Sequence, residues 1–247
     1  MRDDDSLRTG HRPRSRTRTG RRRRAALRLG EPAGRPDLPR DTRERRALLH
    51  QMGPRDAEAS FRQEAERMRW AASWIRVPRV LDQGEDETHE WLVTTAIEGE
   101  SAVAARWTAE PATAVKAVGE GLRALHDALP VQECPWEWTV PARIAHARRR
   151  GIVVPEALND APSIDRLVVC HGDACCPNTL LDDTGRWAGH VDLAALGVGD
   201  RWADIAVAAM STEWNYGPGW EDALVEAYGI EPDRERIAFY RELWNAT

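Results

Sequence analysis

The sequence contains 247 residues with a formal net charge of −5, a length that allows one two-lobed domain or two small ones. No stretch approaches the roughly 20 apolar residues of a membrane span, and the amino terminus lacks the apolar core of a secretory signal. We therefore expect a cytoplasmic protein without a membrane partner. The four cysteines form neither a disulfide framework for a chain of this size nor the paired motifs of a structural zinc site.

Charge and composition set the amino-terminal segment apart. Residues 1–52 hold 16 Arg and 7 acidic side chains, whereas the rest of the chain is acidic. Residues 1–60 contain no Phe, Trp, Tyr, Val or Ile and cannot bury enough apolar surface to offset their ordering entropy, so we predict that residues 1–52 are disordered. Three interpretations stay open: a basic arm that binds nucleic-acid phosphates, a solvated tail, or the product of a shifted reading frame in GC-rich DNA.

The following segment has the pattern of a folded domain. Residues 56–73 are helix formers, and apolar residues at helical spacing share one face: Phe61, Ala65, Met68 and Ala72. Strands are predicted at 77–81 and 91–95, with a turn at 83–86 between them.

Helices dominate the remainder of the chain. A long helix is predicted to begin at Pro111, with Thr108 as a candidate cap. We interpret His126 on that helix as a packed or capping histidine. Further helices are predicted to begin within residues 200–206 and to occupy 219–228 and 233–244. Asp204, near the start of the first of these, is expected to accept backbone N–H groups.

Between these helices, residues 167–192 predict a strand followed by a hairpin. The apolar run 167–169 is typical of a short buried strand, which delivers Asp173 into a loop. An extended segment, a turn and a return strand follow, and the return strand ends at Asp192. This spacing places Asp173, Asn178 and Asp192 around the mouth of one hairpin.

These three residue types suit phosphoryl transfer. A carboxylate must orient the attacking hydroxyl and accept its proton, while an amide and a second carboxylate hold the magnesium that neutralises the phosphates. Asp173 suits the first role, and Asn178 and Asp192 suit the second. We interpret His171 as a residue that holds the loop by hydrogen bonds. The alternative is a polar hairpin whose side chains only cap turns.

Several motifs occur together in a recognisable order. They are CHGDACCPN at 170–178, HVDL at 190–193, GVGDRWADIA at 197–206, QEAERMRW at 63–70 and WLVTTAIEG at 91–99. In combination they resemble the aminoglycoside 3′-phosphotransferases, antibiotic-resistance kinases with a protein-kinase-like fold. The resemblance covers residues 50–245.

The resemblance implies an α+β, protein-kinase-like fold with two lobes. Residues 53–98 would form a truncated or incomplete small amino-terminal lobe with the hinge, and 99–247 a large, mostly helical lobe that carries the catalytic hairpin. It also implies ATP and Mg²⁺ as cofactors and a small-molecule aminoglycoside as the substrate. We expect the protein to be a monomer.

Carried over to this sequence, the resemblance makes Asp173 the catalytic base for a sugar hydroxyl, and Asn178 and Asp192 the magnesium ligands. Glu64 becomes the helix carboxylate that pairs with a phosphate-binding lysine. The hinge residues expected to line the nucleotide pocket are Thr94, Thr95, Ala96 and Ile97.

Two parts of the family's small lobe have no counterpart in the sequence. The glycine-rich loop is missing, and the nearest counterpart of the strand lysine is Gln51. Lys116, the single lysine of the chain, falls on a later helix. Loss of a charge that positions the α- and β-phosphates would remove several kcal/mol of transition-state stabilisation. The family's acidic tail is also absent from residues 243–247.

We therefore interpret the chain as an ATP-dependent aminoglycoside phosphotransferase. Loss of the glycine-rich loop and of the strand lysine can impair its activity. The alternative is a catalytically inactive, kinase-like pseudoenzyme or relic that binds a ligand without transferring phosphate. The least favoured interpretation is a nucleic-acid-binding protein that acts through the arginine-rich arm.

Overall fold

The structure, a computed structural model, describes residues 48–54 and 60–247. The predictions for residues 1–47 and 55–59 lie outside the described residues. The predicted boundary at residue 52 falls inside the first strand, which runs to residue 54.

The small lobe contains a three-stranded antiparallel sheet and one helix. Its elements are β1 (Leu48–Pro54), α1 (Phe61–Ala71), β2 (Val80–Glu85) and β3 (His89–Thr95), with the strands in the order β1-β3-β2. In the register of the sheet, Gln51 on β1 lies opposite Leu92 on the central strand β3.

The predicted position of β2 and of its turn was wrong by several residues. The strand begins at Val80, and the turn follows it, where Asp86 accepts the backbone N–H groups of Thr88 and His89. Gly84 suggested a turn from sequence but lies within β2. A Cβ atom on it would lie 2.1 Å from the Trp91 ring, so the glycine makes room for that side chain.

Helix α1 begins where the side chain of Ser60 accepts the backbone N–H of Arg62 at 3.1 Å. Its buried face consists of Glu64, Ala65, Met68 and Ala71. The sequence pattern placed Ala72 on this face, but Ala72 is exposed and closes the helix as its carboxy-terminal cap.

The large lobe is mostly helical, as predicted, and carries two small sheets. Its helices are α2 (Ala105–Thr108), α3 (Pro111–Ala128), α4 (Val140–Arg149), α5 (Trp202–Tyr216), α6 (Glu221–Tyr228) and α7 (Arg234–Ala246). Its strands are β4 (Glu100–Ser101), β5 (Leu167–Cys170), β6 (Thr179–Leu181), β7 (Trp187–His190) and β8 (Gly197–Asp200). The sheets have the orders β4-β6-β7 and β5-β8.

Thr108 does not cap α3, contrary to the prediction. It is the last residue of α2, where its hydroxyl donates to the carbonyl of Ala105 at 3.0 Å. Within the described ranges, none of the helices combines the length and apolar character needed to cross a bilayer.

A hydrophobic cluster connects the two lobes. It brings buried residues of α1 and β3 together with residues from α3, β5 and the segment after β7: Ala65, Met68, Ala71, Leu92, Leu125, Leu129, Val169, Leu193 and Leu196. Outside this cluster, Arg67 of α1 donates from Nε to the carbonyl of Leu196 at 2.9 Å. The small lobe is therefore packed against the chain segment that directly follows Asp192.

Helices α3 and α6 approach closely at Gly119. A Cβ atom there would lie 2.7 Å from Cβ of Ala227 and 2.7 Å from the carbonyl oxygen of Leu224. Neither neighbour is the end of a flexible side chain, so a larger residue would force the two helices apart.

We predict that Gly119→Ala destabilises the protein by about 1–3 kcal/mol through overpacking, although alanine is the better helix former by about 1 kcal/mol. Urea unfolding of both proteins measures the difference. Ala112→Gly, at an exposed position of the same helix, reports the propensity effect alone. A gain in stability for Gly119→Ala would contradict the close approach.

Candidate active site

The loop that connects β5 to β6 (residues 171–178, the β5–β6 loop) is held at its start by Asp204 of α5. The backbone N–H of His171 donates to Oδ2 of Asp204 at 2.6 Å, and the backbone N–H of Gly172 donates to Oδ1 at 3.0 Å. Asp204 is 1% exposed, so both bonds are shielded from water. The expectation that Asp204 accepts backbone N–H groups is confirmed.

A buried histidine and a tyrosine extend this arrangement. Nε2 of His126 lies 3.0 Å from Oδ2 of Asp204, and Nδ1 lies 2.8 Å from the hydroxyl of Tyr228. Because a carboxylate only accepts, Nε2–H of His126 donates to Asp204. Burial would raise the pKa of Asp204, but the hydrogen bond from His126, the charges of His126 and His171, and the hydrogen bond from Gly172 together hold that pKa below its ordinary value.

Gly172 brings the β5–β6 loop against the segment that follows β7. It has φ +84°, and a Cβ atom on it would lie 2.2 Å from the carbonyl oxygen of Ala195. Nε2 of His171 also lies 3.1 Å from the carbonyl oxygen of Val191. These two contacts fix Asp173, the next residue of the loop, relative to Asp192.

Asp173 carries a carboxylate oxygen without a protein partner. Its Oδ1 is buried and has no hydrogen-bond partner among the described residues. Burying an acceptor oxygen without a hydrogen bond destabilises the folded protein, unless a ligand or a bound water donates to that oxygen. Burial, the charge of Asp173 and a hydrogen bond to the Asp173 side chain raise the pKa of the neighbouring Cys175 thiol, so that thiol stays protonated.

The hairpin of β6 and β7 brings Asn178 and Asp192 to one end. Thr179 pairs with His190, and the backbone N–H of Val191 continues the ladder by donating to the carbonyl of Asn178 at 3.0 Å. The side-chain nitrogen of Asn178 donates to the carbonyl of Asp173 at 2.9 Å, which leaves its side-chain oxygen as the atom suited to a cation.

Asp192 has an unusual backbone conformation. Its φ is +63°, which among the described residues is the sole positive value outside glycine. Aspartate tolerates this region of backbone conformation better than most residues do. The conformation is nevertheless strained, and strained residues of this kind occur often at functional sites. An amide oxygen and a carboxylate together form the hard oxygen donor set that Mg²⁺ prefers, so the residues fit such an ion.

The hinge (residues 94–97) passes beside this hairpin. A Cβ atom on Gly189 of β7 would lie 2.7 Å from Cδ1 of Ile97, so the hinge packs on the hairpin strand. Thr95 is tied to β2, because its hydroxyl accepts the backbone N–H of Arg79 at 2.9 Å. Thr94 is buried and Ala96 is exposed.

Glu64 lies on the buried face of α1, one helical turn before Met68 of the cluster that connects the lobes. The structure thus places the hinge against the hairpin that carries Asn178 and Asp192. Sequence reasoning missed Arg67, Gly172, Ser211 and Tyr228, whose contacts hold this region together. Only the glycine carried a local signal, because glycine tolerates positive φ.

Comparison with known proteins gives a consistent result. The family model of the phosphotransferase enzyme family matches residues 11–240. The aminoglycoside 3'-phosphotransferase of Streptomyces fradiae is 38% identical over 226 residues, which cover 80% of this chain and 83% of that protein. The family match begins inside the arginine-rich segment, whereas the resemblance noted from motifs begins at residue 50.

Solved structures agree with the fold. The crystal structure of an aminoglycoside-3'-phosphotransferase of type VIII is 31% identical, covers 82% of this chain and 86% of its own, and has a TM-score of 0.67. The aminoglycoside phosphotransferase APH(3'')-Id from Streptomyces rimosus ATCC10970, in complex with ADP and streptomycin, is 29% identical over 81% of this chain and 86% of its own, with a TM-score of 0.65.

The fold is therefore that of a protein-kinase-like phosphotransferase, as the sequence predicted. The chain belongs to the phosphotransferase enzyme family, and its similar relatives include the aminoglycoside 3'-phosphotransferases of Streptomyces fradiae and Streptomyces ribosidificus. The resemblance to aminoglycoside 3′-phosphotransferases noted from the motifs is confirmed.

We predict that Gly172→Ala destabilises the protein by more than about 2 kcal/mol, because the methyl group meets the backbone of Ala195 as well as an unfavourable φ. Gly151→Ala is the matched control, since Gly151 has φ +73° but nothing within 4 Å of its added Cβ. That variant should lose only about 1 kcal/mol. Equal losses in urea unfolding would show that the contact with Ala195 does not shape the loop.

Proposed function

We propose that this protein transfers a phosphoryl group from ATP to a hydroxyl of an aminoglycoside. The observation that carries the proposal is the unpartnered, buried Oδ1 of Asp173, held next to the hairpin end that bears Asn178 and Asp192. In the proposed reaction the carboxylate of Asp173 binds the acceptor hydroxyl, while the amide of Asn178 and the carboxylate of Asp192 would bind a cation.

Each residue has a distinct task in the proposed reaction. Asp173 accepts a hydrogen bond from the acceptor hydroxyl, orients it and takes its proton. As the new bond from the hydroxyl oxygen to the γ-phosphorus forms, the bond from that phosphorus to the β,γ-bridging oxygen breaks and ADP leaves. Asn178 and Asp192 would hold Mg²⁺, which when bound would supply positive charge against the phosphates. The hinge contributes backbone groups that position the nucleotide base beside β7.

The substrate class is supported by charge and by the relatives. Outside residues 1–52 the chain has 33 acidic side chains and 19 Lys and Arg, a balance that attracts a polycationic substrate. One similar structure was solved with ADP and streptomycin. The relatives include 3'-phosphotransferases and a streptomycin 3''-kinase of Streptomyces griseus, so they support the class of acceptor without fixing the hydroxyl.

We predict that Asp173→Asn lowers kcat for phosphorylation of kanamycin or neomycin by about 10²–10⁴-fold, because the acceptor loses its base. Asn178→Ala and Asp192→Asn should remove most of the activity and raise the magnesium concentration that half-maximal activity requires. ADP release with purified protein measures all three. Asp183→Asn, at an exposed position in the turn between β6 and β7, is the control and should retain activity. Full activity of Asp173→Asn would exclude the proposed mechanism.

A specific observation favours a second candidate, a kinase-like protein that binds nucleotide without transferring phosphate. The nearest counterpart of the family's strand lysine is Gln51, which lies on β1 opposite Leu92. A neutral side chain there supplies no charge to the α- and β-phosphates. This candidate predicts thermal stabilisation by ATP with magnesium but no phosphorylated product.

We predict that Gln51→Lys raises kcat by about 10²–10³-fold, since one electrostatic contact in the transition state has an effect of this size. Met52→Lys, at the next position of β1, is the control for added positive charge alone. Both proteins are compared by ADP release at saturating aminoglycoside. Equal rates for the two lysine variants would show that β1 does not face the phosphates at residue 51.

A further inference from the structure

Two side chains of α5 contact the β5–β6 loop, and they are seven residues apart. Asp204 accepts backbone N–H groups at the start of the loop, and Ser211 accepts one near its end. Seven residues correspond to almost two turns of an α-helix, so the two side chains lie on one face about 10 Å apart along the axis. One helix face therefore holds both halves of the loop.

Ser211 is built into this contact rather than placed near it. Its Oγ accepts the backbone N–H of Cys176 at 2.9 Å, and the residue is fully buried. The side-chain amide of Asn215, one turn later, donates to the carbonyl of Ser211 at 2.7 Å and to Oγ at 3.2 Å. With two donors on Oγ, the hydroxyl is fixed in the orientation that receives Cys176.

The position of Cys176 affects both groups of the proposed chemistry. Cys176 lies between Asp173 and Asn178 in the loop. The backbone N–H of Asn178 donates to the carbonyl of Cys175 at 2.9 Å, and the Asn178 side chain donates to the carbonyl of Asp173. Movement of the Cys176 amide would therefore shift the base and the cation ligand together.

We propose that Ser211 is a positioning residue, which sets the geometry of Asp173 and Asn178 through the Cys176 amide, with Asn215 holding its hydroxyl. The inference rests on the proposed function for the reaction itself. The loop contact is independent of that function and can be measured without substrate.

The test compares Ser211→Ala with Thr212→Val. Thr212 is an equally buried hydroxyl on the same helix, but it donates to the carbonyl of Ala209 within α5 and not to the loop. Hydrogen exchange of the Cys176 amide should become at least tenfold faster in Ser211→Ala and stay unchanged in Thr212→Val. In ADP release, kcat of Ser211→Ala should fall about 10–100-fold, with KM for ATP and aminoglycoside changed less than about threefold.

Asn215→Ala tests the second part of the inference. If Asn215 acts through Ser211, Asn215→Ala lowers kcat by a smaller factor, and the double variant is no slower than Ser211→Ala alone. Thermal unfolding of every variant separates loss of folded protein from loss of rate.

The outcomes distinguish this inference from the proposed function. A kcat within twofold of the unchanged protein for Ser211→Ala, with Asp173→Asn inactive, would overturn the role of Ser211 and leave the kinase intact. Unchanged exchange at Cys176 would overturn the loop contact. If the unchanged protein transfers no phosphate, the proposed function fails, and the positioning role of Ser211 in the reaction fails with it, whatever the exchange result.

Discussion

The buried carboxylate of Asp204 is the constraint on which the site depends. A charge removed from water must be compensated by hydrogen bonds, and Asp204 receives them from two backbone groups of the β5–β6 loop and from His126. Because the loop supplies two of the three donors, any movement of the loop away from α5 would leave the buried carboxylate of Asp204 without most of its hydrogen bonds. The conformation that presents Asp173 is thus enforced by the electrostatics of the lobe interior.

Long-range contacts in the large lobe make this arrangement possible. His126 on α3 meets Asp204 on α5 and Tyr228 on α6, so three helices meet at one hydrogen-bonded centre. Close packing of α3 on α6 at Gly119 places Tyr228 within reach of His126. The small lobe joins through the hydrophobic cluster that includes Leu125, the neighbour of His126 on α3, and Leu193, which directly follows Asp192.

Local patterns predicted much of the fold, including the strand, loop and hairpin that carry the candidate site residues. The strand before Asp173, the hairpin to Asp192 and the helix that begins at Pro111 follow from apolar spacing and turn residues, which act over a few positions. The prediction of a turn at Gly84 was wrong because glycine is found both in turns and in strands that pack closely against another side chain. The side chain that requires a glycine here is the Trp91 ring, seven residues later in the sequence. The contacts of Ser211 and Tyr228 could not be predicted from local patterns, since their partners, Cys176 and His126, are 35 and 102 residues away. The site roles of Asp173, Asn178 and Asp192 stay predictions, as do the roles of Glu64 and the hinge.

The division of tasks between the lobes bears on what kind of kinase this is. The proposed base and cation ligands sit on one unit of the large lobe, fixed by α5 and by the hairpin ladder. The strand lysine that the motif resemblance leaves without a counterpart would belong to the small lobe, and no residue of that lobe contributes to these bonds. In the proposed mechanism its loss would act on the nucleotide phosphates and leave the contacts that hold the β5–β6 loop unchanged. A chain impaired in this way would keep its acceptor chemistry and lose rate through the donor, which distinguishes it from a relic whose β5–β6 loop has degenerated.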